Sequence, residues 1–270
     1  MALNRAEDFC MRSLKGFVFV VAMAFLFSGL GEAQEQSMRL AFEVATIKPS
    51  EAGLLNGGIK PLPGGDGYMA QNVSVRLMIS LMYQVPMRQI TGGPGWLDTD
   101  HYDVEAKADH AYSKEELHAM FRSLLEDRFK LKLRKETREG PVYALTVDKS
   151  GSKMKVNEGP QDYQIPITFG RDNSVVGSRV SMQYLCWWLG QQLQRDGRPV
   201  IDKTKLDKNY DFTLTFAPER PPEMAAENPA LQNLPSLFDA LKEQLGLRLD
   251  PEKGPVEYYV VDRVERPSDN

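Results

Sequence analysis

The sequence predicts an α+β protein made of two repeated α/β units, with antiparallel sheets and helices packed on one side. Three observations carry this. Two short stretches, Phe129-Lys130-Leu131-Lys132-Leu133 and Leu245-Gly246-Leu247-Arg248-Leu249, alternate apolar and polar residues with the period of a half-buried strand. Two others place apolar residues on one helical stripe: Leu117, Met120, Phe121, Leu124 and Leu125, and Leu234, Leu237, Phe238, Leu241 and Leu245. The third is order, since one series of motifs runs through the chain twice.

The chain opens with Arg5, Arg12 and Lys15 ahead of an apolar run from Phe17 to Leu30, closed by Gly31-Glu32-Ala33. The run is shorter than the roughly 20 residues of a bilayer-spanning helix. With small residues after it, the run reads as a cleaved signal peptide over 1–33, with Gln34 the first mature residue. The expected location is therefore the periplasm or the extracellular space, with no membrane span after cleavage. Export removes Cys10 and leaves Cys186 alone among Leu185, Leu189 and Leu193, a small buried hydrophobe rather than half of a disulfide.

The first unit is assigned to 41–150. A helix opens at Val73-Ser74-Val75, Leu97-Asp98 marks a turn-rich patch, and Tyr102-Asp103-Val104-Glu105-Ala106 is a strand. The striped helix and the alternating strand follow. Gly140-Pro141-Val142 is then expected to turn the chain into a last strand, Tyr143 to Asp148. Polar residues broken by glycine and proline make 151–170 a linker or long loop. The second unit, 171–266, retraces the path. Val180-Ser181-Met182 opens its helix, Leu206-Asp207 precedes the strand Tyr210-Asp211-Phe212-Thr213-Leu214, and Gly254-Pro255-Val256 is expected to turn into Tyr258 to Asp262. The first helix of each unit is apolar nearly all round, so it needs cover on two sides, from its own sheet and from the other unit or a partner. Gly53 to Gly67 and Pro218 to Pro235 are long irregular stretches whose glycines follow no phosphate-binding motif.

Chemistry is sparse. A net charge of -4 with basic residues spread among acids excludes a nucleic-acid footprint. His101, His110 and His118 fall close together, but on a strand start, a loop and a helix. His118 lies off the apolar stripe and is expected to face solvent, so neither a metal nor a cofactor is indicated. Ser150-Gly151-Ser152-Lys153, Lys203-Thr204-Lys205 and Ser268-Asp269-Asn270 imitate the motifs of penicillin-recognising enzymes. The first sits in a turn, the second lacks its glycine and the third is at the chain end. Esterase elbows, zinc-protease pairs and phosphate loops do not occur.

Aromatic residues are more suggestive. Trp96 follows the turn Gly92-Gly93-Pro94-Gly95, while Trp187 and Trp188 lie on the crowded helix of the second unit. Such rings plug a seam or anchor a ligand. With Asp98 and Tyr102 they form the candidate binding set. The leading expectation is a non-catalytic module, with a role in envelope sensing, that binds an envelope protein, glycan or small molecule. The alternative is a hydrolase of cell-wall or environmental polymer using Asp98, Asp103 or Asp211, which requires the two Tyr-Asp strands to face one cleft.

Several motifs carry a resemblance. They are Phe42-Glu43-Val44-Ala45-Thr46-Ile47-Lys48-Pro49-Ser50, Gly92 to Asp98, Leu124 to Leu131, Arg198 to Thr204 and Gly254-Pro255-Val256. Together they resemble a soil-associated family of exported proteins, present as many paralogues in acidobacteria, over about Ala41 to Ser268. The resemblance implies export and a two-part architecture, and it brings no activity, ligand or catalytic residue. Related domains fused to antibiotic-sensing membrane metallopeptidases imply extracytoplasmic sensing by analogy. Val180 to Leu214 is also similar to the short N-terminal domain of secretins and TonB-dependent receptors.

Overall fold

The computed structural model describes residues 39–51, 57–160, 163–170, 174–193, 195–217 and 233–267. The expected signal peptide, Ser268-Asp269-Asn270 and most of Pro218 to Pro235 lie outside them. The fold is mixed α+β, with five helices and three four-stranded sheets among the described residues.

The first sheet contains β1 (Val44–Pro49), β2 (Gly58–Pro61), β3 (Gly67–Ser74) and β5 (His101–Lys107), in the order β1-β5-β3-β2 with every pair antiparallel. Ser74 ends β3 and caps α1 (Val75–Tyr83), its hydroxyl accepting the Leu77 N–H at 3.3 Å. A 3₁₀ turn (Met87–Gln89), β4 (Ile90–Gly92) and the short α2 (Trp96–Thr99) lead into β5. The striped helix is α3 (Lys114–Arg128), started by a reciprocal capping box between Ser113 and Glu116. Its Leu117, Met120, Phe121 and Leu125 are buried with Val75, Met78 and Ile79 of α1 in one core.

A second all-antiparallel sheet contains β7 (Lys155–Val156), β8 (Ile167–Phe169), β9 (Ser174–Val180) and β11 (Tyr210–Thr215), in the order β7-β11-β9-β8. Ser181 caps α4 (Met182–Gln192), accepting the Tyr184 N–H at 3.2 Å. The second striped helix is α5 (Leu237–Ala240), which continues as a π-helical turn through Leu245 and closes on Gly246 in the left-handed conformation. The stretch expected to be a linker therefore supplies β7 and β8. Both are too short, at two and three residues, for a periodic pattern to reveal.

The third sheet joins the two halves. Its centre is an antiparallel ribbon of β6 (Lys132–Val147) and β12 (Leu247–Arg263). β10 (Val200–Asp202) runs parallel to β6 on one edge, and β4 runs parallel to β12 on the other. The sheets are thus not all antiparallel as expected, because each half sends one short strand across to the other half's long strand. The expected turns at Gly140-Pro141 and Gly254-Pro255 are absent. Both dipeptides lie mid-strand, with Gly140 directly opposite Gly254.

The ribbon tolerates its prolines for a definite reason. The Tyr143 N–H points outward, donating to Pro199 O at 2.9 Å. Strand alternation then points the nitrogen of Pro141 outward too, and pairing gives Pro251 (opposite Tyr143) and Pro255 (opposite Glu139) the same outward orientation. No ladder bond within the ribbon is lost at any of the three. The ribbon also exchanges side chains between cores. Tyr143 and Leu145 of β6 are buried with α4 and β11, and Tyr259 and Val261 of β12 with α1 and α3. Arg88 ties the seam, donating to Gly190 O at the end of α4 (3.1 Å) and to Arg198 O (2.8 Å).

Candidate functional site

Helices α1 and α4 meet where the halves join. Leu77 and Leu81 of α1, and Tyr184 and Trp187 of α4, pack only half-buried on the edges of their own cores. The Trp187 indole N–H points across to Ser80 Oγ at 3.4 Å. Between these helices, the β2 edge and residues 164–166 opens a cleft of about 370 Å³. That volume lies in the range of small-molecule sites. Its wall is mostly apolar: Ile59, Leu77, Leu81, Ile165, Pro166 and Trp187, with the rings of Tyr68 and Tyr184. A second hollow of about 450 Å³ lies beyond Gln84 and Trp187, which line both, and is bordered by Tyr83, Cys186 and Tyr259.

Three polar groups stand in the apolar wall. Burial pushes the Tyr68 hydroxyl well above its ordinary range, and the nearby Tyr184 phenol adds to the effect. Burial raises Tyr184 to about 12. His118 packs its ring against Tyr68 at 5.9 Å, and burial, aided by Arg122 and Lys114, lowers it to about 4. All three are therefore neutral at pH 7. At the rim, the Lys114 ammonium donates to Gln164 O at 2.9 Å, and the Arg179 guanidinium is held by Asn157 Oδ1 (3.3 Å) and Gly159 O.

His118 thus does not face solvent as its position on α3 suggested. Its ring is half-buried in the cleft wall against Tyr68, and Gln164, tied to the start of α3 through Lys114, lines the same cleft. His101 lies 3.0 Å from Thr99 O, and His110 stacks on Tyr112 at 4.0 Å, so the three histidines share no site. Among the described residues no group of three or more His, Cys, Asp or Glu could hold a metal ion.

Of the candidate binding set, Trp187 alone lines the cleft. Trp188 is buried in the second core, edge-on to Phe216 at 6.1 Å. Tyr102 is buried in the first, edge-on to Phe129 at 5.3 Å. Trp96 packs half-buried on the first core beneath the Arg266 guanidinium, 5.0 Å from its ring centre. Asp98 accepts from Arg76 Nε at 2.6 Å. Asp103 and Asp211 lie in different sheets and do parallel work. Asp103 accepts the N–H of Asn72 (2.9 Å) and the hydroxyl of Ser50 (2.7 Å); Asp211 accepts the N–H of Arg179 (2.9 Å) and both oxygens take the Asn157 amide (2.9 Å). Asn72 and Arg179 have φ of 51° and 50°, each at an irregular step in the pairing of its strand. Each carboxylate therefore clamps a left-handed bulge.

Residues 76–264 match the family described as Protein of unknown function (DUF3738). The chain belongs to this family. The DUF3738 match starts inside α1 and ends after β12, so it takes in both cleft helices, His118 and the whole ribbon, while β1, β2 and β3 precede it. No curated protein and no solved structure matches the DUF3738 chain. Among the described residues no helix is long and apolar enough to cross a membrane.

Proposed function

We propose that the protein is an exported, non-catalytic binding module, acting in envelope sensing, whose ligand is a small molecule seated between α1 and α4. The observation that carries this is the lining of the cleft: apolar and aromatic side chains drawn from both helices, each only half-buried against its own core. Of the acids proposed for a hydrolase, Asp103 and Asp211 are each occupied in holding a bulge in a separate sheet and Asp98 is paired with Arg76, which favours binding over hydrolysis. The apolar run from Phe17 to Leu30, followed by Gly31-Glu32-Ala33, supports export.

We further infer that the two halves are copies of one unit. Replacing β1, β2, β3 and β5 by β7, β8, β9 and β11 turns the order of the first sheet into that of the second. The serine caps Ser74 and Ser181, and the carboxylate-clamped bulges, match as well. On this reading the cleft lies at a pseudo-twofold seam, where helices α1 and α4 are equivalents.

The test uses the solvatochromic dye Nile red. Wild-type protein is expected to bind it with a blue-shifted emission and a raised Tm, and Trp187→Ala to weaken binding while remaining folded by circular dichroism. Dye binding that Trp187→Ala leaves unchanged would remove the cleft from the proposal. Export is tested by N-terminal sequencing of protein recovered outside the cytoplasm, expected to begin at Gln34.

A further inference from the structure

The geometry points to an uncharged ligand, an aromatic or alicyclic body bearing a hydroxyl or carbonyl group, whose polar end is read by Tyr68, Tyr184 and His118. This rests on the cleft being the binding site and goes further by naming what it selects. Neither the two tyrosine hydroxyls nor the His118 ring makes a hydrogen bond to another described residue, although Tyr68 retains 3% of its surface exposure. None of the three is sealed in the core; each opens on the cleft, where its polar atom can bond to whatever fills the space. Two such groups from the first half, on β3 and α3, and one from α4 of the other half converge on one cavity. Each phenol offers one donor and lone pairs, and neutral imidazole offers one donor and one acceptor. Together they suit a group that both gives and takes hydrogen bonds.

Charge sets the other half of the selection. The cations of the rim, Lys114 and Arg179, are engaged by Gln164, Asn157 and Gly159, and the rim also carries the exposed Glu115 carboxylate. Arg179 also lies near the Asp211 carboxylate, so the two cations are balanced by two carboxylates, and an anionic ligand would lose its hydration with no net positive charge at the rim to replace it. An uncharged one gives up much less.

Three probes of one shape separate these terms: biphenyl, 4-phenylphenol and biphenyl-4-carboxylate, with dissociation constants measured by equilibrium dialysis at pH 7. Wild type is expected to bind 4-phenylphenol roughly 10-fold tighter than biphenyl, the net worth of one or two neutral hydrogen bonds. The carboxylate is expected to bind weakest. In Tyr68→Phe/Tyr184→Phe, biphenyl affinity should hold and the hydroxyl preference should fall below about 2-fold. Tyr184→Phe alone, on a helix face rather than in the core, should lose part of that preference and serves if the double variant does not fold.

Biphenyl binding with no gain from the hydroxyl, a preference unchanged in the Phe variants, or tightest binding of the carboxylate would each overturn this inference and leave the cleft a binding site. Failure of all three probes to bind wild type would overturn the cleft reading itself, and this inference with it.

Discussion

Replacing His118 tests the burial of its ring in the cleft wall through its effect on stability. Burial of the ring, with Arg122 and Lys114 nearby, lowers its pKa from the ordinary 6.5 to about 4. Between those values the unfolded chain holds a proton on this ring and the folded chain does not. The unfolded state then binds more protons, so stability is full above pH 6.5 and is lost as pH falls toward 4. Each pKa unit between the two states is worth about 1.36 kcal/mol, giving a ceiling of about 3.4 kcal/mol and about 2.5 kcal/mol already lost at pH 4.5. His118→Leu fills the same wall with nothing to titrate. Urea unfolding of both proteins from pH 7.5 to 4.5 isolates the ring, since every other group cancels in the difference. The advantage of wild type over the variant should shrink by about 2–2.5 kcal/mol across that range. A difference that stays constant within about 0.5 kcal/mol would refute the burial of the ring in the cleft wall.

Two further perturbations examine features that read as chemistry in the sequence. Asp103→Ala and Asp211→Ala each strand a backbone N–H at a left-handed bulge and one polar side chain. Each should cost about 2–3 kcal/mol in urea unfolding, and a cost below about 0.5 kcal/mol would show that the clamps do no structural work. Partial burial opposes ionisation of both carboxyls, and hydrogen bonds from Asn72 and Ser50, or from Arg179 and Asn157, outweigh it and hold them below the ordinary 3.8. Their stabilisation is therefore present at neutral pH and lost only as pH falls below that value. Cys186 is buried, and burial with Asp202 nearby raises its thiol well above the ordinary range. Iodoacetamide should label it roughly 100-fold more slowly in native protein than in 8 M urea, and equal rates would contradict the burial of its helix face.

The elements most legible in the sequence are those specified locally. Ser74, Ser113 and Ser181 each precede a helix and cap it, because a side-chain oxygen needs only a free N–H two or three residues ahead. The stripe Leu117, Met120, Phe121, Leu125 is buried as its period requires. The strands β5 and β11 lie where alternation placed them. What failed was long-range. A Gly-Pro pair between two alternating runs reads as a hairpin turn, and nothing local distinguishes that from a ribbon of 16 and 17 residues whose prolines happen to point outward. The parallel edges made by β4 and β10 are three residues each and exist only because a distant strand presents its free side.

The same division explains the site. Trp96, Trp188 and Tyr102 were conspicuous because large aromatics are rare, yet rarity says nothing about which side of a helix or strand is already covered. Trp188 and its neighbour Trp187 differ by one step of about 100° around α4. That step sends one into the second core and the other to the cleft. His118 reads as solvent-facing because its neighbours on α3 place it off the apolar stripe, whereas the fold sets it in the cleft wall against Tyr68 and near Gln164, in a stretch that reads as a linker. The one usable signal was the first helix of each half. α1 and α4 carry more apolar surface than a single sheet can take, which requires a second covering layer. The shared ribbon brings those surplus faces together, and it leaves Leu77, Leu81, Tyr184 and Trp187 opposite one another with a gap between them. An excess of apolar surface on α1 and α4 thus calls for a second covering layer from sequence, whereas the cleft and the polar groups within it depend on contacts that only the folded chain makes.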